Sequence, residues 1–227
     1  MRFVNKVAII TGAGRNVGEG ISAALVAEGA LVAMVDNNQD RLNSAVDRVL
    51  KAGSGTAKPF VCDVSSSEDV QRMVAEVVES FGRIDYLVNN VAVTDRGVTV
   101  LDLPEEEWDR VLNVTLRSVF LCTKYAGRQM VQQGEGGAIV NIGSTSGYHA
   151  RGNATAYSAA KAGTLHVTKS IALQLGPHSN REQRTLHPAM PGPSTFLYST
   201  DRKTQSIDIA TVAPPSTKRS IPVMNEA

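Results

Sequence analysis

A doubly wound α/β fold around a parallel sheet is what this sequence predicts, on three observations. Short apolar runs alternate with amphipathic stretches as far as about Leu175. A glycine-rich turn joins the first run to the first amphipathic stretch. An acidic residue, Asp36, closes the second run. Near-continuous apolar strands belong to sheets covered on both faces, and the helices between them return the chain right-handedly.

Val7–Thr11 is the first strand and ends in Thr-Gly. Val17–Glu28 has helical spacing, with Ile21, Ala24, Leu25 and Ala27 apolar. Leu31–Val35 is a second buried strand, ending in Asp36. Arg41–Lys51 is helical, with Leu42, Val46, Val49 and Leu50 on one side, and Lys58–Cys62 is the third strand. Ser67–Phe81 is the most regular helix: Val70, Met73, Val74, Val77, Val78 and Phe81 recur one turn apart, and Ser66 or Ser67 suits its N-cap. Ile84–Val88 is the fourth strand. Pro104 in a first turn, followed by Glu105, Glu106 and Glu107, opens another helix, since carboxylates suit the positive end of the dipole. A long helical segment runs from Trp108 towards Met130, Gly137–Ile142 is the fifth strand, and Tyr157–Leu175 is the last clear helix. The sum is a Rossmann-type sheet, whose ligand crevice lies at the carboxyl ends of its strands.

Beyond about Gly176 the pattern stops. Pro177, Pro188, Pro191, Pro193, Pro214, Pro215 and Pro222 crowd the remaining chain, and proline removes backbone donors and blocks ladders. A sixth and a seventh strand are therefore doubtful, and Ile207–Val212 is a weak strand candidate. The chain divides into a dinucleotide-binding and catalytic domain, 1–178, and an atypical Pro/Ser/Thr-rich segment, 179–227. Two readings of that segment stay open: a loop-rich lobe, or a stretch outside the sheet.

Composition narrows the class. Hydrophobic residues at 42% and charged residues at 20% suit a globular protein with a sizeable core. A net charge of +1 leaves no field that favours nucleic acid or an acidic membrane surface. Cys62 and Cys122 are too few for a disulfide framework and suit small buried apolar positions. No signal peptide, membrane span or metal site is expected, and cytosol is the default location.

Thr11-Gly12-Ala13-Gly14-Arg15-Asn16-Val17-Gly18 follows a strand and opens a helix. Glycines let the backbone approach a pyrophosphate, and the helix N-terminus offers free N–H groups. Asp36, 18 residues past Gly18, can accept hydrogen bonds from a ribose diol and repels a 2′-phosphate. NAD is thus favoured over NADP, with Arg15 as the counter-signal. Asp63, with Val64 beside it, either bonds adenine or caps the next helix. Asn89 and Asn90, at the end of the fourth strand, either face the crevice or bond neighbouring backbone.

Tyr157 and Lys161 stand four apart, on one face of a helix. A phenol with an ordinary pKa near 10 is a poor base at neutral pH, and bringing it to about 7 takes roughly 4 kcal/mol. A close ammonium supplies stabilisation of that kind. Tyr157 can then exchange a proton with a carbonyl oxygen or alcohol while hydride moves at carbon. Ser144, 13 residues before Tyr157 and just after the fifth strand, can orient the substrate oxygen. Asn113, inside the long helix, can hold a water that links Lys161 to solvent.

These pieces, in this order and spacing, resemble the short-chain dehydrogenase/reductase family over residues 1 to about 178. The resemblance implies an Asn-Ser-Tyr-Lys tetrad on Asn113, Ser144, Tyr157 and Lys161, with Lys161 also bonding the nicotinamide ribose. It implies cofactor contacts from Gly12, Arg15, Asn16, Val17, Gly18, Asp36, Asp63, Val64, Asn90, Tyr157 and Lys161. It further implies a homo-oligomer, dimer or tetramer, paired through the helices that include Val111–Met130 and Tyr157–Leu175.

The sequence departs from the family in three places. Asn16 stands where the second glycine of the turn belongs, and asparagine tolerates left-handed backbone. Val91-Ala92 replaces Ala-Gly, so a methyl group crowds the cofactor's approach. Asn180-Arg181-Glu182-Gln183-Arg184-Thr185-Leu186 replaces an apolar sixth strand, and such residues do not suit a strand buried on both faces. Pro191-Gly192 with Thr195 imitates the family's next turn, one residue short. Codons for Arg-Val-Asn-Ser-Val, read two bases along, can spell Arg-Glu-Gln-Arg, the string at 181–184. The hypothesis is a reading-frame change near residue 180, leaving a non-homologous tail. Sequencing the gene decides it: an alternative frame with no family-like continuation ends the idea.

The expected activity is interconversion of a secondary alcohol and a ketone with NAD, Tyr157 being the acid/base. One alternative is a nucleotide-binding protein with weak or no catalysis, because the segment that completes the substrate pocket departs. Another is 3-oxoacyl reduction, which in the family prefers NADP.

Overall fold

The computed structural model describes residues 1–176 together with strands at 184–187 and 196–199. Its sheet has seven strands: β1 (Val7–Thr11), β2 (Leu31–Asp36), β3 (Thr56–Val61), β4 (Tyr86–Asn89), β5 (Ala138–Ile142), β6 (Arg184–His187) and β7 (Phe196–Ser199). Their spatial order is β3-β2-β1-β4-β5-β6-β7. All neighbours run parallel except β7, which lies antiparallel on β6. The order reverses between β1 and β4, and a switch point of this kind opens the ligand crevice.

Side-chain alternation on β1 explains the two layers. Val7 and Ile9 enter a core built with α3 (Ser67–Phe81) and α5 (Ser118–Gln133). Ala8 and Ile10 enter the opposite core, with α1 (Asn16–Ala27) and α2 (Gln39–Val49). Both faces are covered, so β1 is buried throughout. The edge strand β3 carries Pro59, which an edge tolerates because one side needs no ladder donor. Ser66 Oγ caps α3 by accepting the Asp69 N–H at 3.2 Å, and Gly82 ends it with φ +80°.

The long helical segment expected from Trp108 towards Met130 is present and contains a π-turn. α4 (Glu105–Leu112) passes into a π-turn, Asn113–Arg117, before α5 begins. The Ser118 N–H reaches back to the Asn113 carbonyl, five residues away, and leaves one extra residue in the turn. α6 (Thr155–Leu175) completes the described helices.

The doubt over the sixth and seventh strands is corrected by the structure. Arg184, Thr185 and Leu186 pair with Val140, Asn141 and Ile142. Strand pairing is made by backbone groups, and a polar side-chain pattern does not prevent it in a short strand near a sheet edge. The segment Asn180–Gln183, Pro191-Gly192, Thr195 and the candidate strand Ile207–Val212 lie outside the described residues. Among the described residues no helix is long and apolar enough to cross a membrane. Cys62 and Cys122 are free and buried, as expected, and burial pushes the Cys62 thiol up to about 12.

Candidate active site

Two constructions stand at the carboxyl ends of the strands. The first is a cleft of about 580 Å³ around the β1–α1 turn. It brings together every predicted cofactor residue except Gly18, Tyr157 and Lys161. The turn is shaped by close packing. A Cβ on Gly18 would fall 2.3 Å from the Gly12 carbonyl oxygen, so α1 starts directly against the preceding loop. Asn16 holds φ +53°, the left-handed backbone that the family's glycine would adopt. Arg15 at the N-cap gives α1 no side-chain cap, and Asn16 and Val17 line the cleft. An uncapped N-terminus of a twelve-residue helix leaves N–H groups and a positive dipole end for an anion.

Asp36 is 6% exposed and lines the cleft. It accepts the Gly14 N–H at 3.1 Å, the Asn38 N–H at 3.1 Å and the Arg41 guanidinium. The first of these bonds ties the end of β2 to the glycine turn. Arg41 was not singled out from the sequence. The available signal was a cation in the first turn of α2, an electrostatically unfavourable place unless paired.

Asp63 and Asn90 both line the cleft while serving local structure. Asp63 accepts the Ser65 N–H at 2.9 Å, in a turn leading into α3. Asn90 donates to the Thr11 and Gly12 carbonyls at 2.9 and 3.3 Å, so it stitches β4 to the turn. Asn89 is buried and donates to Asn141 at 2.8 Å, inside the sheet.

The second construction is α6 against the end of β5. Lys161 is 3% exposed, and its ammonium donates to the Ile142 carbonyl at 2.7 Å. Ile142 is the last residue of β5, two before Ser144, so this bond ties Lys161 to the Ser144 turn. Gly147 allows the contact, because a Cβ there would fall 2.9 Å from the Lys161 carbonyl oxygen. Burial lowers the Lys161 ammonium to about 8. Its Nζ lies 5.8 Å from the centre of the Tyr157 ring, one helical turn back. Tyr157 packs against Val111, Ala156 and Ala160. Ser144 Oγ accepts the Ser146 N–H at 3.2 Å, which leaves its proton free to donate.

Asn113 is exposed on the π-turn, and its carbonyl is held by Ser118. Thr115 Oγ1 in the same turn accepts the Val93 N–H at 3.0 Å and donates to the Val93 carbonyl at 3.1 Å. Asp95, two residues on, accepts the N–H groups of Ala156 and Tyr157, each at 2.8 Å. Neither Thr115 nor Asp95 was legible as a site residue, since each acts through tertiary contacts.

The short chain dehydrogenase family model matches residues 6–188. The chain belongs to this family of oxidoreductases, which act with nicotinamide cofactors on CH–OH groups. Among similar proteins, the short chain dehydrogenase/reductase astE of Aspergillus oryzae is 37% identical over 177 residues, covering 78% of this chain and 67% of that protein. The 3-oxoacyl-acyl-carrier-protein reductase FabG of Thermotoga maritima is 36% identical over 175 residues, 77% of this chain and 70% of its own. A 3beta-hydroxysteroid dehydrogenase of Mediterraneibacter gnavus is 31% identical over 209 residues, 92% and 75% of the two chains. The solved structure of NAD+-bound xylitol dehydrogenase superposes with a TM-score of 0.78 at 34% identity, covering 85% of this chain and 74% of that one. The family match runs past about residue 178 and through β6.

Proposed function

We propose that this chain is an NAD-preferring oxidoreductase that interconverts a secondary alcohol and a ketone. The observation that carries the reading is Lys161, buried one turn beyond Tyr157 and hydrogen-bonded to the last carbonyl of β5. The residues present fit a dinucleotide. The glycine turn admits close approach, the α1 N-terminus is uncapped, and Asp36 presents a carboxylate in the cleft. Gly12, Arg15, Asn16, Val17 and Gly18 would hold the pyrophosphate, and Asp36 the adenosine ribose. Asp63, Val64 and Asn90 would complete that side. When bound, the cofactor supplies or accepts hydride at the substrate carbon.

The chain's own residues manage the proton. In ketone reduction Tyr157 gives its hydroxyl proton to the carbonyl oxygen as the C–O double bond becomes single. In alcohol oxidation it takes that proton back. The Lys161 ammonium stabilises the negative charge left on the Tyr157 oxygen, and its remaining N–H groups can reach the cofactor ribose. Ser144, with its hydroxyl proton free, donates to the substrate oxygen and orients it. Asn113 would relay protons between Lys161 and solvent through a bound water.

Asp36 favours NAD because a buried carboxylate repels a 2′-phosphate. The FabG relative supports 3-oxoacyl reduction as a second reading. Phe120 on α5 and Leu173 on α6 are 52% and 70% exposed, which supports pairing of two copies through these helices. The division at about residue 178 into a catalytic domain and a distinct tail belongs to the same proposal.

The test is direct. Purified protein is mixed with NADH and a panel of ketones, and absorbance is followed. Ketone-dependent loss of NADH is the expected result. Cofactor binding with no turnover across the panel would instead favour a nucleotide-binding protein without catalysis.

A further inference from the structure

The start of α6 lacks the residue that usually caps a helix. Ala154 occupies the N-cap and offers no side-chain acceptor. An N-cap side chain ordinarily accepts from the second or third helical N–H, here Ala156 and Tyr157. Asp95 does both from a distance. Its Oδ2 accepts the Ala156 N–H and its Oδ1 the Tyr157 N–H, each at 2.8 Å. The two partners are 61 and 62 residues away in sequence. A carboxylate there also complements the positive end of the helix dipole.

Asp95 is itself held. Val93, two residues earlier, is clamped at both its N–H and its carbonyl by Thr115 of the π-turn. Arg110 on α4 donates to the Thr94 carbonyl at 3.2 Å. The β4–α4 loop is thus fixed to α4 and the π-turn at one end and to the Tyr157 backbone at the other.

We infer that Asp95 is a positioning residue: it sets the first turn of α6, and with it the placement of the Tyr157 hydroxyl relative to Lys161. The inference rests on the proposed role of Tyr157. Its chemistry is that of a cap. Asp95 transfers no proton and touches no reacting atom. Loss of the cap frees two N–H groups at the turn that carries Tyr157, while Lys161 stays anchored to Ile142 one turn further on.

Three measurements on Asp95→Ala and Asp95→Asn test this. Amide hydrogen exchange at Ala156 and Tyr157 should speed up by about tenfold or more in Asp95→Ala, since the cap accepts both of these first-turn N–H groups. The kcat for ketone reduction should fall about tenfold to a hundredfold, while the Kd for NAD+ stays within about twofold. Asp95→Asn keeps one acceptor oxygen and the shape of the side chain, so it can restore one of the two bonds and should recover part of both losses; it also remains informative if the alanine variant folds poorly. Unchanged exchange at the two amides would overturn the inference. So would an undiminished kcat, or loss of NAD+ affinity in step with kcat. An unmodified chain that turns over no ketone would end the oxidoreductase reading, and the exchange measurement would still decide the cap.

Discussion

Asp36 grips the glycine turn with one carboxylate oxygen and the Arg41 guanidinium with the other. The pair lines the nucleotide cleft together with Arg15, Asp63 and Arg110. Asp36→Ala removes the ribose acceptor and the repulsion toward a 2′-phosphate, and it takes from Arg41 its carboxylate partner. The Kd for NAD+ should rise about tenfold, equivalent to about 1.4 kcal/mol, while that for NADP+ falls. Fluorescence titration with each cofactor checks this. An unchanged ratio of the two constants would remove Asp36 from the specificity argument.

Lys161 makes a prediction about pH. Burial lowers its ammonium to about 8. The charged form is the one that stabilises a phenolate, so kcat/KM for ketone reduction should decline as pH rises through about 8. The sign for stability is opposite. Charged Lys161 disfavours the fold fully below about 8, and this cost lifts as pH climbs towards the ordinary lysine range. Lys161→Met should therefore be inactive, and its Tm relative to the parent should drop between pH 7 and pH 10. A kcat/KM that stays flat to pH 10 would contradict the assigned role.

Asp85 carries a stability prediction distant from the site. Its carboxylate accepts from Lys6 at 2.9 Å, the Val7 N–H at 3.0 Å and Arg83 at 2.7 and 2.8 Å. Burial alone would raise its pKa, but these bonds outweigh it and hold the carboxyl below the usual aspartate range. A depressed pKa stabilises the fold above the unfolded value, and the benefit is lost as pH falls through the folded one. Asp85→Asn should cost about 2 kcal/mol at pH 7, with less difference from the parent in acid. Equal Tm values at pH 7 would refute it.

Asn16 tests the backbone of the glycine turn. At φ +53°, glycine fits freely, asparagine fits at modest cost, and a β-branched residue is strained. Asn16→Gly should leave stability within about 0.5 kcal/mol, and Asn16→Val should lower it by about 1–2 kcal/mol. Urea denaturation separates the two, and a valine variant as stable as the parent would rule out left-handed backbone here.

What the sequence revealed of the fold follows from where burial imposes a pattern. β1 to β5 and the helices between them are legible because both sheet faces are covered and each helix buries one stripe. β6 escapes the apolar pattern because Arg184 and Thr185 are polar, whereas ladder pairing needs only backbone. The π-turn at Asn113 was read as ordinary helix, since one extra residue in a turn leaves no mark on apolar spacing. The meeting of the glycine turn with Asp36, and of Tyr157 with Lys161 one turn on, is legible because it depends on short spacings. Arg41 and Asp95 were not, because their roles exist only after the chain has brought distant groups together.

Tyr157→Phe tests the proposed chemistry most directly. The variant keeps the ring that packs on Val111, Ala156 and Ala160 and removes only the proton-carrying oxygen. Assayed with NADH and whichever ketone the parent reduces best, it should lose kcat by about a thousandfold or more while its Kd for NAD+ stays within about threefold. A Tyr157→Phe protein that reduces the ketone at a rate near the parent's would show that Tyr157 is not the acid/base.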